Sequence, residues 1–416
     1  MIVIMKTRKK PTLLAPVQDF TSLKAAIDNG ADAVYFGIQG FNMRAGAKNF
    51  KALDLPEITN LARKRKVKTF LAINTIIYEE ELEKAEKILR KAKESGIDAI
   101  ICWDTAILKL AKKLKFDIHL STQASVSNSV AARFYKKAGV SRIILARECT
   151  LEQIKEIKKK SEMEIEIFIH GAMCVSLSGR CFLSQFLHGK SANRGECLQP
   201  CRRKYLLKRM DDGDGKSEEL ELGESYVMSP KDLCTIDFFE KLMEADIDCF
   251  KIEGRNRSPE YVANVTKSYR TLIDFIWKNS KNKTDLEKLK KELKGEVAKV
   301  YNRKFGSGFL FGKPVEEWSN SYGSQATERK IHVGTVSHYY TEIGVAEILI
   351  QANKSIRTGD TLFFQGPKTG SLKQKITSLE KDHKKIKKAS QGDKVALKVL
   401  SLVRKNDKIY VVKKNK

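Results

Sequence analysis

Over the first 255 residues, short apolar runs alternate with longer amphipathic segments. The runs are Thr12–Val17, Ala33–Phe36, Lys68–Asn74, Asp98–Cys102, Asp117–Thr122, Arg142–Ala146, Glu164–Ile169 and Asp248–Ile252. Most are dense in Ile, Val, Phe and Leu, as strands buried on both faces of a parallel sheet tend to be. Between them lie segments such as EEELEKAEKILRKAKES (residues 79–95), whose apolar side chains recur at helical spacing. The junctions DNGADAV, ESGIDAI and KAGVSRI put a glycine just past the helix, where it can take positive φ and hand the chain to the next strand. Eight such strands with helical crossovers predict an α/β fold, a (β/α)8 TIM-like barrel over residues 1–280, with a doubly wound open sheet as the alternative.

The pattern changes twice after the barrel. Residues 281–329 combine a highly charged helix with the glycine-rich stretch NRKFGSGFLFGKP, and read as a linker. From residue 330, the short alternating runs HVGTVSHYY, IGVAEILI, DTLFFQG, DKVALKVL and KIYVV predict a small C-terminal β-barrel over 330–416.

In a barrel of this kind the active site lies where the C-terminal strand ends open into loops. The residues expected there are Gln18, Arg44, Asn74, Asp104, Gln123, Arg147, His170 and Glu253. An insertion, 170–230, follows the seventh strand and carries Cys174, Cys181, Cys197 and Cys201 at spacings C-x6-C, C-x15-C and C-x3-C. Cys234 follows, at the expected start of a helix near Lys231. Arg180, Arg194, Arg202, Arg203 and Lys204 surround these thiols, and positive charge favours the metal-binding thiolate. The spacing lacks the paired C-x2-C of common zinc ribbons, which puts an iron–sulfur cluster ahead of zinc. His170 suits a proton donor or acceptor, or a hydrogen-bonded structural histidine. Glu253 and Arg255, in KIEGR, read as an ion pair or as substrate contacts. Arg44 and Arg147 could hold a carboxylate or a phosphate through paired hydrogen bonds.

Composition narrows the partners. The formal net charge is +27, from 78 basic and 51 acidic side chains, and the last 36 residues carry 13 basic and three acidic groups. Such an excess points to a polyanion, and nucleic acid is the obvious one. The apolar runs are too short to span a bilayer, so no membrane partner is expected. The opening MIVIM is too short before its basic cluster for a secretory signal, which makes the cytoplasm the expected location. GxSxG and HExxH are absent, and GSGFLFG lacks the lysine and hydroxyl of a phosphate-binding loop.

The runs FIHGAMCVSLSGRCFLS, NRGECLQPCRRKY, MSPKDLC and FKIEGRNRSPEYVANVTKSYR resemble peptidase family U32, the collagenase-like peptidases. ADAVYFG, FNMRAGAKNF, YNRKFGSGFL and HVGTV extend the resemblance along nearly the whole chain. It implies an α/β barrel, a small C-terminal β-barrel and an oxygen-sensitive 4Fe–4S cluster held by four cysteines. Position by position, three of these are Cys174, Cys181 and Cys197. The fourth is Cys234 by one branch of the family and Cys201 by another; Cys234 is favoured, with Cys201 as alternate ligand. Members of the family hydroxylate a tRNA uridine or a ribosomal RNA, and others work as paired proteins, so a partner subunit is an open expectation. The tRNA-hydroxylating members are associated with prephenate, a small acidic oxygen donor. The reading is therefore an iron–sulfur-dependent RNA hydroxylase forming 5-hydroxyuridine in tRNA, with rRNA as the second RNA. The alternatives are a U32-type protease, and a non-catalytic RNA-binding protein with structural zinc.

Overall fold

A computed structural model of the chain describes residues 9–177, 180–205, 226, 228–279, 282–314, 317–319 and 321–415. Each of the eight apolar runs forms a strand. They are β1 (Thr12–Pro16), β2 (Ala33–Phe36), β3 (Lys68–Ala72), β4 (Ala99–Cys102), β5 (Asp117–Leu120), β6 (Arg142–Ile144) and β7 (Glu164–Gly171), then, after a short extra strand β8 (Asp232–Cys234), β9 (Cys249–Ile252). Consecutive strands from β1 to β7 pair in parallel, and β9 pairs in parallel with both β7 and β1. That double pairing closes the barrel and excludes the open sheet.

The continuous apolar runs are explained by two layers of packing. In β4, Ile100 and Cys102 join the large core between strands and helices, whereas Ala99 and Ile101 point into the barrel with Leu14, Phe70, Ala72 and Ile144. Outside lie α1 (Phe20–Asp28), α2 (Leu55–Arg63), α3 (Leu82–Glu94), α4 (Thr105–Lys113), α5 (Ser129–Ala138) and α6 (Leu151–Ser161). The inserted helix α7 (Leu183–His188) precedes the outer helices α8 (Phe239–Glu244) and α9 (Pro259–Asn279), and α10 (Lys283–Ala298) packs on α9. Local chemistry fixes where the helices start: Asp19, Asp104, Asn128 and Thr150 each cap one by accepting a backbone N–H. Asp104, expected at the mouth, is thus the cap of α4.

Below the mouth the barrel interior is charged. Glu166 is fully buried and takes Lys251 Nζ at 2.8 Å and Arg142 Nη1 at 3.6 Å. The opposed charges offset the loss of hydration that burying either one alone would carry.

Two expectations are corrected here. The helix placed near Lys231 begins at Phe239 instead. Residues 232–234 are extended because β8 pairs antiparallel with the exposed tip of β7, His170 opposite Cys234 and Gly171 opposite Leu233. The glycine-rich linker contributes a tenth strand to this sheet, β10 (Phe305–Gly306), in parallel with β8.

The C-terminal domain has its own core, including Val333, Val336, Ile348, Phe364 and Ile409. Its strands are β11 (Glu328–Tyr340), β12 (Val345–Ile350), β13 (Ile356–Arg357), β14 (Thr361–Gly366), β15 (Gly370–Lys375), β16 (Leu379–Lys381), β17 (Lys384–Ile386), β18 (Lys388–Ala389), β19 (Lys394–Lys398) and β20 (Lys408–Lys414). Eight of them make one antiparallel sheet in the order β15-β14-β20-β11-β12-β19-β16-β17, and β13 pairs with β18. β15 rests on α1 and α9. Among the described residues no helix is long and apolar enough to cross a membrane.

The β7–β8 junction encloses His170. Its ring lies 5.5 Å from Tyr269, 6.0 Å from Tyr261 and 5.6 Å from Phe305, with Nδ1 3.3 Å from the Tyr269 hydroxyl. Tyr269 in turn donates to the Ile169 carbonyl and accepts from the Thr235 amide, so it ties β7 to the end of β8. Burial, aided by Arg257, holds the His170 imidazole down to about 3. The unfolded chain, with an ordinary imidazole near 6.5, therefore binds a proton between those values that the native state refuses. Stability should fall as pH drops below about 6.5, by about 2–3 kcal/mol from this group at pH 4.5. Urea unfolding at pH 7 and pH 4.5 should show a smaller loss in His170→Gln than in the wild type.

Candidate functional site

The C-terminal strand ends converge on a cavity at the barrel mouth. Its charged lining is Arg44 from the loop after β2, Arg147 after β6, and Lys251, Glu253 and Arg255 at and beyond the end of β9. Tyr35, Met43, Asn74, Gln123, Phe168 and Cys174 are also part of the wall. Four cations thus face one carboxylate.

Each charge is held in a specific way. Arg44 Nη2 lies 3.2 Å from Glu253 Oε1, and its Nη1 donates to the Met43 carbonyl at 3.0 Å. Burial alone would raise the Glu253 carboxyl, but Arg44, Arg257 and Arg147 outweigh it and keep Glu253 ionised. Arg255 lies 5.9 Å from the Tyr35 ring centre, its Nη1 is 3.4 Å from Asn42 Oδ1, and burial brings the guanidinium down to about 10. Arg147 lies over the Phe168 ring at 4.5 Å and donates Nη1 to the Ala172 carbonyl at 2.8 Å. Its Nε and Nη2 are buried without a hydrogen-bond acceptor among the described residues. Leaving charged donors unpaired costs on the order of 1–3 kcal/mol or more, so this guanidinium is arranged for an acceptor that arrives from outside. Two aligned donors on one face of an arginine match a carboxylate or phosphate.

The cysteine insertion covers this cavity because of where it leaves and how it is clamped. Gly171, at the tip of β7, has φ +106°, and a Cβ there would sit 2.5 Å from the Glu253 carbonyl oxygen. Only glycine lets the chain turn so close to β9. Cys174 then enters the cavity wall. Gly195, at φ +88°, lies against the backbone of Asn42 to Ala45 and accepts the Ala45 amide at 2.9 Å. Arg194 pairs with Glu81, bonds the Ile76 carbonyl and covers the Tyr78 ring at 4.8 Å. Arg202 is buried, bonding the carbonyls of Met173 and Pro230 and the Ser229 hydroxyl. Arg303 joins Gln199 to Asp232. Of the arginines in the insertion, two are therefore structural clamps.

Four thiols share one electrostatic neighbourhood. Cys197 and Cys201 both respond to Cys174 and Cys181, and burial raises both above an ordinary thiol. Arg44 opposes that rise at Cys197, and Arg202 opposes it at Cys201. The Leu183 amide donates to Cys181 Sγ and the Gln199 amide to Cys197 Sγ, each at 3.4 Å. Backbone N–H groups aimed at sulfur are what thiolate and cluster ligation use. Among the described residues no three His, Cys, Asp or Glu side chains stand close enough to hold a metal ion as they are. The four residues fit a thiolate-bound group in chemistry and in neighbourhood, and their side chains would have to draw inward to ligate it.

Cys234 is not brought to this group. It is buried at the end of β8, 3.9 Å from the Tyr269 hydroxyl, and burial pushes its thiol up to about 11. Its charged neighbours are Asp237 and Lys294. His170, likewise, does not line the cavity. Gln18 binds the Arg257 carbonyl through its Nε2. Arg44, Arg147, Glu253 and Arg255 do line it, together with Asn74 and Gln123. Sequence reasoning missed Lys251, Tyr35 and Phe168. Lys251 had a signal, a lone lysine inside the apolar run DCFKI; the two rings look like any buried aromatic in a strand.

Comparison with known proteins places this architecture. The family model described as Peptidase family U32 matches residues 18–320. An uncharacterized protease of Methanocaldococcus jannaschii is 43% identical over 410 residues, covering 96% of this chain and 98% of that protein. A collagenase of Porphyromonas gingivalis is 39% identical over 410 residues, covering 96% and 97%. A tRNA hydroxylation protein of Bacillus subtilis is 35% identical over 374 residues, covering 89% and 87%. With a barrel, a cysteine insertion over its mouth and similarity running through both, the chain belongs to peptidase family U32.

Proposed function

We propose that this protein is an iron–sulfur-dependent RNA hydroxylase that forms 5-hydroxyuridine in tRNA, with rRNA the second candidate. The observation that carries the reading is Arg147: a buried guanidinium with two unpaired donors, in a cationic cavity whose wall includes Cys174. A peptidase would need a nucleophile held by a base; in the lining Ser121 Oγ donates to Gln123 Oε1 and Thr122 Oγ1 to the Leu145 carbonyl. The similarity to a tRNA hydroxylation protein supports the RNA reading, and the excess of basic side chains supports a polyanionic substrate.

In this reading Cys174, Cys181, Cys197 and Cys201 hold a 4Fe–4S cluster, with zinc the alternative metal. Bound there, the cluster supplies one-electron chemistry beside the cavity. The chain's own residues do the rest. Arg147, with Arg44 and Arg255, binds the carboxylates of a small acidic oxygen donor such as prephenate, and Glu253 fixes Arg44 in place. Tyr35 and Phe168 wall the cavity and keep water from it. The basic C-terminal domain holds the RNA backbone, and a cytoplasmic location follows from the substrate. The relatives named protease and collagenase keep peptide cleavage as a second reading; cleavage of a collagen-like peptide by cluster-free protein would favour it.

After anaerobic purification, replacing Cys174, Cys181, Cys197 or Cys201 by Ser should strip iron and sulfide together, and Cys234→Ser should retain both. The reverse result for Cys201 and Cys234 would restore the other ligand set, and one equivalent of zinc without sulfide would replace the cluster. Nucleoside mass spectrometry of tRNA from a deletion strain should show loss of 5-hydroxyuridine or its derivatives. Re-expressed wild type should restore it, Arg147→Ala should lower the yield about tenfold to a hundredfold, and unchanged tRNA and rRNA would end the hydroxylase reading.

A further inference from the structure

Beside the barrel-mouth cavity lies a second one, of about 310 Å³, which the proposed chemistry does not use. This is within the size range of small-ligand pockets, roughly 300–1,000 Å³. Met43 and Gln123 line both cavities, so the two are neighbours across a shared wall. The rest of the lining includes Trp103 after β4 and Arg180, Phe182 and Asn193 from the cysteine insertion.

These side chains form an unusual set. The Trp103 indole is pinned by its Nε1 to the Asn74 carbonyl at 2.9 Å, and Arg180 stacks over it with the guanidinium carbon 5.0 Å from the ring centre. Arg180 Nη1 is steadied by the Gln123 carbonyl at 3.3 Å. Phe182 is 62% exposed and Phe186, 81% exposed, lies 5.9 Å from it. So large an exposed aromatic pair is poorly explained by packing. The Asn193 side chain uses its oxygen to accept the Cys181 amide, and its amide nitrogen has no hydrogen-bond partner among the described residues. Besides Arg180 in the pocket, residues 181–205 carry five basic side chains and one acidic one.

We propose that this cavity takes a single unstacked nucleobase of the RNA substrate, packed against Phe182 and the Arg180–Trp103 pair and held at its polar edge by Asn193. The proposal rests on the RNA reading above. Flat apolar faces flanked by arginine are how proteins capture bases from single strands, and a peptide side chain would not need a stacking slot rimmed with positive charge. The exposed Lys190, Arg203 and Lys204 hold the flanking phosphates, and the shared wall sets the base next to the cationic cavity. Phe186 covers the strand where it enters.

The test uses the full chain in a Trp277→Phe, Trp318→Phe background, which leaves Trp103 as the sole indole. Heptauridylate should quench its fluorescence, and a heptamer of abasic riboses should bind without quenching. Phe182→Ala, at an exposed position that folding does not need, should weaken heptauridylate about tenfold and leave the abasic heptamer unchanged; Trp103→Ala should do the same by fluorescence anisotropy. Equal affinity for both heptamers, or insensitivity to Phe182→Ala, would overturn the site, as would quenching by a collagen-like peptide but not by heptauridylate. Base-dependent quenching in a protein whose deletion leaves cellular RNA unmodified would keep the site and remove the hydroxylase. Base-independent binding in a protein whose deletion removes 5-hydroxyuridine would do the opposite.

Discussion

Barrel closure demands that β7 pair with β9, although the chain departs for residues 170–230 between them. Everything distinctive about the molecule follows from that demand. The excursion must leave from the mouth end of β7 and return to it, so its cysteines cannot be placed far from the cavity. Gly171 makes the departure possible, since a Cβ there would sit 2.5 Å from the Glu253 carbonyl oxygen just past β9. β8 manages the return by pairing with the tip of β7, and the Tyr269 hydroxyl fastens the two. The same closure seals His170 and Cys234 into the wall, away from the cavity.

Once over the mouth, the insertion is held by charge more than by apolar packing. Arg194, Arg202 and Arg303 each bond at least two acceptors, which include the backbone carbonyls of Ile76, Met173 and Pro230 and the side chains of Glu81, Ser229, Asp232 and Gln199. Arginine suits this role because its planar fork can serve several carbonyls at once and stays charged when buried. Among its described residues, Met173, Ala192 and Tyr226 are buried, whereas Phe182, Phe186, Leu187 and Leu198 are exposed. A loop built this way can hold its shape without a hydrophobic core of its own.

The barrel floor shows the complementary logic. Arg142, Glu166 and Lys251 neutralise one another beneath the cavity, while at its rim Arg147 keeps two donors unmatched. Arg142 Nη1 and Glu166 Oε2, 3.6 Å apart, also lack a hydrogen bond among the described residues, so what sets Arg147 apart is its place in the cavity lining, where a polar ligand can complete it. Glu253 moderates this by engaging Arg44, so the mouth is cationic without being a bare cluster of like charges.

The sequence by itself determined the eight strands, their helical crossovers and the change to an antiparallel domain, because each rests on local periodicity that neighbours reinforce. It also placed Arg44, Arg147, Glu253 and Arg255 at the mouth, since strand ends are readable wherever an apolar run stops. It favoured Cys234 over Cys201 as the fourth thiol, whereas the fold sets Cys234 at the end of β8 against the Tyr269 hydroxyl, because thiols look alike until the chain is folded around them. Sequence also could not tell the arginines that clamp the insertion from the one left unpaired, or see that β8 would form where a helix was expected. Those are decided by long-range contacts: β8 exists only because β7 offers an unpaired edge, and a side chain's role depends on which acceptors the closed barrel brings within its reach.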